Sequence, residues 1–214
     1  MVERAKILEA VNAALTKAPK RQFSESIDIT INLKNIDMAQ PKNRIDETIL
    51  LPNGTGENIG ICVLGKGDIV TQAKDAKVDL IMGPEEIEKL GGQPREARKV
   101  AAKYRFFLAE TAVMPQVGRF LGPRLGPRGR MPMPIAGGQD IRPIVERLRK
   151  SVKIRTKDKT VFSTKVGSTA MKPEQVAENI DAILKRVESV LEQGPLNIRS
   201  IYVKTTMGPA VRLV

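Results

Sequence analysis

The chain carries two hydrophobic rhythms that cannot belong to the same kind of sheet. From Phe23 to Leu33 the pattern alternates, with Ile27, Ile29, Ile31 and Leu33 on one side and Ser26, Asp28, Thr30 and Asn32 on the other. That is a strand half buried against a core. Glu25 shares the core parity but stands at the start of the strand, where a side chain can escape burial. From Ile59 to Leu64 the apolar residues run without a break, as in a strand covered on both faces. Between the two lies Pro52-Asn53-Gly54-Thr55-Gly56, whose closely spaced glycines mark a bend or hinge.

The remaining pattern sorts along the same divide. Residues 2–17 predict a helix with Ile7, Leu8, Val11 and Leu15 on one face, ended by Pro19. Thr48–Leu51 is a short strand. After the glycines, Asp68–Ala76, Pro84–Leu90 and Pro94–Tyr104 read as helices, and Val78–Met82 and Arg105–Ala109 as strands. Such alternation predicts a parallel sheet. Residues 115–138 are rich in proline and glycine and read as a basic loop; a helix follows at Ile141–Lys150. Val152–Arg155 and Thr160–Val166 read as strands around a Thr156-Lys157-Asp158-Lys159 turn. Residues 173–193 are the best helix, with Pro173 in its first turn and Gly194-Pro195 beyond its end. Ile198–Thr206 is the last strand. An α/β unit inserted into an α+β unit accounts for this order.

Composition narrows the function. The 214 residues hold 36 Lys plus Arg against 24 Asp plus Glu and no histidine. A net charge of +12 favours a polyanionic partner. Without histidine the commonest general base and zinc ligand are gone. Cys62 stands alone in an apolar run, so no disulfide framework is expected and a reducing cytoplasm fits. No metal, cofactor, lipidation motif, signal peptide or membrane span is expected. Five Phe, two Tyr and no Trp make a poor platform for stacking bases. A nucleic acid would be read here through shape, backbone and hydroxyls.

Four constellations carry polar chemistry, each with a plain structural alternative. Gly65-Lys66-Gly67 has the position of a phosphate loop, but Val70 replaces the third glycine of a dinucleotide fingerprint, and a tight turn explains it equally. Arg119, Arg124, Arg128 and Arg130 fall in a stretch free of acids between Thr111 and Gln139. They are either secondary phosphate contacts or part of an ordered basic loop packed on its own domain. Phe162-Ser163-Thr164-Lys165-Val166-Gly167-Ser168 and Tyr202-Val203-Lys204-Thr205-Thr206-Met207-Gly208-Pro209 each end a strand in hydroxyls, a glycine and a neighbouring cation. Such hydroxyls either meet a ligand or bond nearby backbone. Glu174, Glu178 and Asp181 begin the long helix, where carboxylates suit the dipole. No nucleophile has a base beside it. The rival readings are a nucleotide-dependent enzyme and a DNA or membrane-surface binder driven by charge alone.

Three stretches identify a family. Leu121-Gly122-Pro123-Arg124-Leu125-Gly126-Pro127-Arg128-Gly129-Arg130-Met131-Pro132-Met133-Pro134, Phe162–Ser168 and Lys204-Thr205-Thr206-Met207-Gly208-Pro209 together resemble the family of large-ribosomal-subunit protein one, archaeal type, over nearly the full length. The resemblance implies two domains. Residues 1–55 and 154–214 would form a discontinuous α+β domain, a four-stranded sheet with two helices, that binds rRNA. Residues 56–153 would form an inserted Rossmann-like α/β domain, with hinges at Gly54, Gly56, Lys153 and Ile154. It implies a cytoplasmic, non-enzymatic ribosomal protein, monomeric when free. That protein would bind large-subunit (23S) rRNA to form a mobile stalk, assist release of deacylated tRNA from the exit site, and repress its own operon mRNA. By motif position the RNA-binding residues would be Phe23, Glu25, Ser26, Lys165, Gly167, Ser168, Thr205, Thr206, Met207 and Gly208. Arg124, Arg128 and Arg130 are secondary RNA or interdomain candidates. Gln22 stands where a basic residue often precedes the phenylalanine; Arg21 is the adjacent cation.

Overall fold

Residues 3–19, 21–38, 40–156 and 159–214 are described by the computed structural model of the chain. The protein is mixed α/β and divides into two compact units, one of Met1–Glu57 with Lys150–Val214 and one of Asn58–Arg149. In chain order the first unit begins with α1 (Arg4–Lys17), β1 (Ser26–Leu33) and β2 (Asp46–Leu50). The second holds β3 (Ile61–Leu64), α2 (Asp68–Asp75), β4 (Leu80–Met82), α3 (Pro84–Gly91), α4 (Pro94–Lys103) and β5 (Phe106–Glu110). It continues with α5 (Met114–Phe120), α6 (Gly122–Leu125), β6 (Met133–Ile135) and α7 (Arg142–Arg149). The chain returns to the first unit with β7 (Ser151–Arg155), β8 (Val161–Ser168), α8 (Pro173–Val190), β9 (Ile198–Thr205) and β10 (Val211–Arg212).

In the first unit β1 is a central strand, antiparallel to β8 on one side and β9 on the other, with the two-residue β10 beyond β9. Its alternation is realised as expected: Ile27, Ile29, Ile31 and Leu33 are buried, and the residues between them are half exposed. Ile7 and Val11 of α1 share one core with Val176, Ile180, Ile183, Leu184 and Val187 of α8. The buried stripe of α1 is Ile7, Ala10, Val11 and Ala14, with Leu8 and Leu15 at its margin. The small alanines are the side chains that α1 buries alongside Ile7 and Val11, and α8 packs against it.

β2 and β7 form a separate antiparallel pair, Asp46 opposite Arg155 through Leu50 opposite Ser151. The strands on either side of the 156–159 turn therefore join different sheets, β7 with β2 and β8 with β1. Lys157 and Asp158 of that turn lie outside the described residues. Lys153 and Ile154, expected at a hinge, are paired inside β7 with Thr48 and Glu47. A hinge there would break ladder hydrogen bonds. The boundary between units falls earlier, between Arg149 and Lys150.

The bend at Pro52–Gly56 is fastened from α8. Asn179 is fully buried; its Nδ2 donates to Gly54 O (2.7 Å) and Val166 O (2.8 Å), and its Oδ1 accepts from Asn53 N (3.1 Å). Gly54 and Gly56 have φ of 64° and 72°, the left-handed region where a side chain is strained.

In the second unit β4-β3-β5-β6 form a wholly parallel sheet. All four residues of β3 are buried because helices cover both faces. Ile61 and Val63 face the core of α2 and α7, and Cys62 and Leu64 the core of α3 to α6. Burial pushes the Cys62 thiol far above its ordinary range, so it stays protonated and inert.

The proline- and glycine-rich 115–138 segment is largely regular, contrary to its reading as a loop. Pro115 and Pro123 sit in the first turns of α5 and α6, where a missing N–H costs nothing. Val117, Leu121 and Leu125, spaced by four, bury one face into the second core.

Candidate nucleic-acid interface

Strand register brings the distant polar segments to one sheet end. Ser26 lies opposite Ser168, and Ile27 lies opposite Gly167 on one side and Thr205 on the other. The start of β1 thus meets the ends of β8 and β9. A bulge in β8 between the Ile27–Gly167 and Asp28–Lys165 pairs leaves Val166 unopposed; a bulge bends its strand and re-aims the side chains beside it.

A turn follows β9 and is bonded to β1. Thr206 donates to Ser26 O through its backbone N (3.0 Å) and its Oγ1 (3.2 Å). Met207 N donates to the Glu25 carboxylate at 3.0 Å, and Gly208 N to Thr205 O at 3.3 Å. Glu25, expected to escape burial, is only 4% exposed. The reason is visible in its partners. Its backbone N donates to Thr169 Oγ1 (3.1 Å), its carbonyl accepts from Thr169 N (2.9 Å), and its carboxylate holds the Met207 amide. A buried carboxylate is tolerated only when so bonded.

The ten expected site residues separate into three kinds. Phe23 and Met207 are each 57% exposed, strong exposure for large apolar side chains, and Thr206 is exposed beside Met207. Ser26, Lys165 and Gly208 are half-buried. Lys165 forms an ion pair with the exposed carboxylate of Glu57. Glu25, Gly167, Ser168 and Thr205 are buried. Ser168 Oγ bonds Ser24 Oγ at 2.7 Å and accepts from Ala170 N at 3.3 Å. The Thr205 hydroxyl has no hydrogen-bond partner among the described residues.

The glycines are explained by protein neighbours. A Cβ on Gly208 would collide with Thr205 Oγ1 and press on Ala18 at the end of α1. One on Gly167 would lie 3.0 Å from Val176 Cγ2 in α8. Sequence reading missed Ser24, Thr169 and Asn179, the polar groups that hold this end in shape. Ser24 and Thr169 stand next to residues already singled out, which was the available signal; Asn179 had none, being one polar residue in a helical stripe.

The phosphate-loop position and the acids that begin α8 are engaged by the protein itself. Lys66 N, in the phosphate-loop position, donates to Glu110 Oε2 at 3.0 Å, so a carboxylate of the protein lies where an anion would be held. Glu178 accepts from Asn53 Nδ2 (2.9 Å) and Arg4 Nη2 (2.6 Å). The bonds from Asn53 and Arg4 to its charged form hold its carboxyl below the usual range. Asp181 pairs with Lys185 at 2.7 Å. Among the described residues no group of three or more His, Cys, Asp or Glu could hold a metal, and no helix is long and apolar enough to cross a membrane. Arg124 lies in α6, and Arg130 donates to backbone carbonyls of its own unit.

Fold and site define a class: a basic two-unit α/β protein whose antiparallel sheet ends in a pre-bonded polar surface with two exposed apolar side chains. Comparison with known proteins makes this particular. Residues 15–209 match the model of the Ribosomal protein L1p/L10e family. The chain is 86% identical, over the whole of both chains, to large ribosomal subunit protein uL1 of Methanoregula boonei. It is 74% identical over the same span to that of Methanoculleus marisnigri, and 44% identical over 97% of each chain to that of Haloferax volcanii. The chain belongs to the ribosomal protein L1p/L10e family, whose members are structural and not enzymes.

Proposed function

We propose that the protein is a constituent of the large ribosomal subunit that binds large-subunit rRNA through the sheet end. The bound RNA and protein form a mobile stalk that assists release of deacylated tRNA from the exit site. The free protein, a monomer, represses its own operon mRNA by binding a similar RNA structure in the cytoplasm. The first unit is then an rRNA-binding domain and the second a Rossmann-like insertion, joined through Gly54–Glu57 and the residues around Lys150. The observation that carries this reading is the register that brings Ser26, Gly167–Ser168 and Thr205 to one end of one sheet, with Thr206 and Met207 hydrogen-bonded to Ser26 and Glu25.

In the mechanism that follows, the exposed residues make the contacts and the buried ones keep the surface rigid. Thr206 and Ser26 offer hydroxyls to ribose 2′-hydroxyls and phosphates, which separates RNA from DNA. Met207 and Phe23 pack on sugar or base without demanding one geometry, and Lys165 supplies charge. Glu25, Ser168, Thr205 and the two glycines shape the turn before RNA arrives, which lowers the ordering cost of binding.

Titration of a stalk rRNA fragment against wild type and Thr206→Ala, with tRNA and duplex DNA as competitors, tests it. Tight binding to the fragment that DNA does not compete away, weakened by the substitution, is the expected result. Equal binding to all three nucleic acids, indifferent to Thr206, would remove the rRNA reading.

A further inference from the structure

Lys165 lies in β8 near the sheet end proposed to meet RNA, yet its charge is not open to a ligand. Its side chain is only 10% exposed, and its ammonium is covered, with no directed hydrogen bond among the described residues. It is ion-paired with the Glu57 carboxylate, whose side chain is 59% exposed. Glu57 lies between β2 and β3, outside any strand or helix. The residue before it explains how it reaches the site. Gly56 has a φ of 72° and presses against the polar end: a Cβ there would lie 2.8 Å from Met171 Sδ and 3.2 Å from Ser168 Cβ. Asn179 holds Gly54 O two residues earlier. The backbone is thus seated against Ser168, three residues from Lys165 along β8, by an approach that a side chain would obstruct.

The two partners of this pair stand in different surroundings, and that decides which of them can leave. A covered ammonium stripped of its counter-charge is costly. An exposed carboxylate that swings into water loses little, since solvent already screens it. Opening the pair is therefore unfavourable by itself, and close to neutral when another anion takes the carboxylate's place. A phosphate oxygen offers the same charge-assisted bond. Asp28 is the other acid to consider, since it stands opposite Lys165 in register and so on the same face. It is fixed within β1, with Lys204 opposite it on its other side, which leaves Glu57 as the exchangeable acid. While Glu57 stays in place, its exposed charge opposes a polyanion.

We propose that Glu57 is an internal competitor of RNA: its carboxylate holds the phosphate position on Lys165, and a bound RNA takes that position by displacing it. This rests on the reading of the sheet end as the rRNA site and deepens it. Lys165 adds affinity only by the amount that its bond to phosphate exceeds its bond to Glu57. An anion that brings no phosphate to that point meets a negative charge instead of a positive one.

The test is a double-mutant cycle in the full-length protein. Wild type, Glu57→Gln, Lys165→Gln and the double variant are each titrated against the stalk rRNA fragment and an unrelated RNA duplex at near-physiological salt. Glutamine at 57 keeps an amide oxygen for the ammonium and removes the competing charge. Glu57→Gln should tighten stalk-fragment binding roughly fivefold or more. Lys165→Gln alone should change it by less than about twofold, because the bond gained and the bond lost nearly cancel. In the Glu57→Gln background the same change at 165 should weaken binding roughly fivefold or more. A gain from Glu57→Gln that is equally large with Gln at 165 would make Glu57 a general repulsion and overturn the competition; unchanged or weakened binding overturns it too. Without any variant, the side-chain carboxyl carbon resonance of Glu57 should shift when the fragment is added, and a resonance that stays put rules out displacement. Wild type that binds the fragment no better than the duplex overturns the rRNA reading, while the cycle, read on the duplex, still decides the pair.

Discussion

The sheet end of the first unit and the basic stretch of the second are built in opposite ways. The first is dense in internal hydrogen bonds and modest in charge: Thr206 and Met207 are bonded back to Ser26 and Glu25, and Lys165 on β8 is already paired with Glu57. The second gathers guanidinium groups with hardly an acid between them. A surface fixed before binding discriminates, because a wrong partner leaves its polar groups unmatched. A surface of charge alone attracts, because counterion release is indifferent to sequence. The two should therefore separate cleanly under salt and mutation.

The largest effect is expected where rigidity originates. Asn179→Ala removes a fully buried side chain bonded to Gly54 O, Val166 O and Asn53 N, and should cost about 3 kcal/mol of stability by urea denaturation. A loss under about 0.5 kcal/mol would mean the bend at Gly54–Gly56 holds without it. Next comes Glu25→Ala. In the free protein it should expose the Met207 amide to fast hydrogen exchange, and it should weaken stalk-fragment binding roughly tenfold without altering the salt slope. Weakened binding with the Met207 amide still protected would make Glu25 a contact and not a support.

Much of this fold was legible in the chain because local pattern and tertiary burial agree. The alternation of Ile27, Ile29, Ile31 and Leu33 could only face one core, and the unbroken Ile61–Leu64 run needed cover on two sides. What escaped was set by partners far away in sequence. Glu25 reads as an acid at a strand's frayed start until the Met207 amide, 182 residues on, buries it. α5 and α6 escaped because proline and glycine read as breakers, though both prolines occupy first turns. β10 is too short to carry a pattern. Of the candidate site, Phe162–Ser168 and Lys204–Pro209 were legible as motifs; their division into exposed and buried residues required register and burial.

The smallest effect concerns the edge of the rigid region. Hydrogen bonds from Asn53 and Arg4 lower the Glu178 pKa. A carboxylate depressed in the folded state stabilises above its unfolded pKa, and that contribution is lost as pH falls through the lower folded value. Because Glu178 lies at the surface the effect on stability is slight, but an NMR titration should show its pKa rising toward the ordinary glutamate range in Asn53→Ala. No rise would mean Arg4 alone sets it.

The most direct test of the division between shape and charge is the affinity ratio of stalk rRNA fragment to duplex DNA, followed from roughly 50 to 200 mM salt for wild type and Thr206→Ala. The ratio for wild type should stay nearly constant while both affinities fall, and Thr206→Ala should lower the ratio at every salt. A ratio that collapses toward one as salt rises, and that Thr206→Ala leaves unmoved, would mean that charge alone makes the choice.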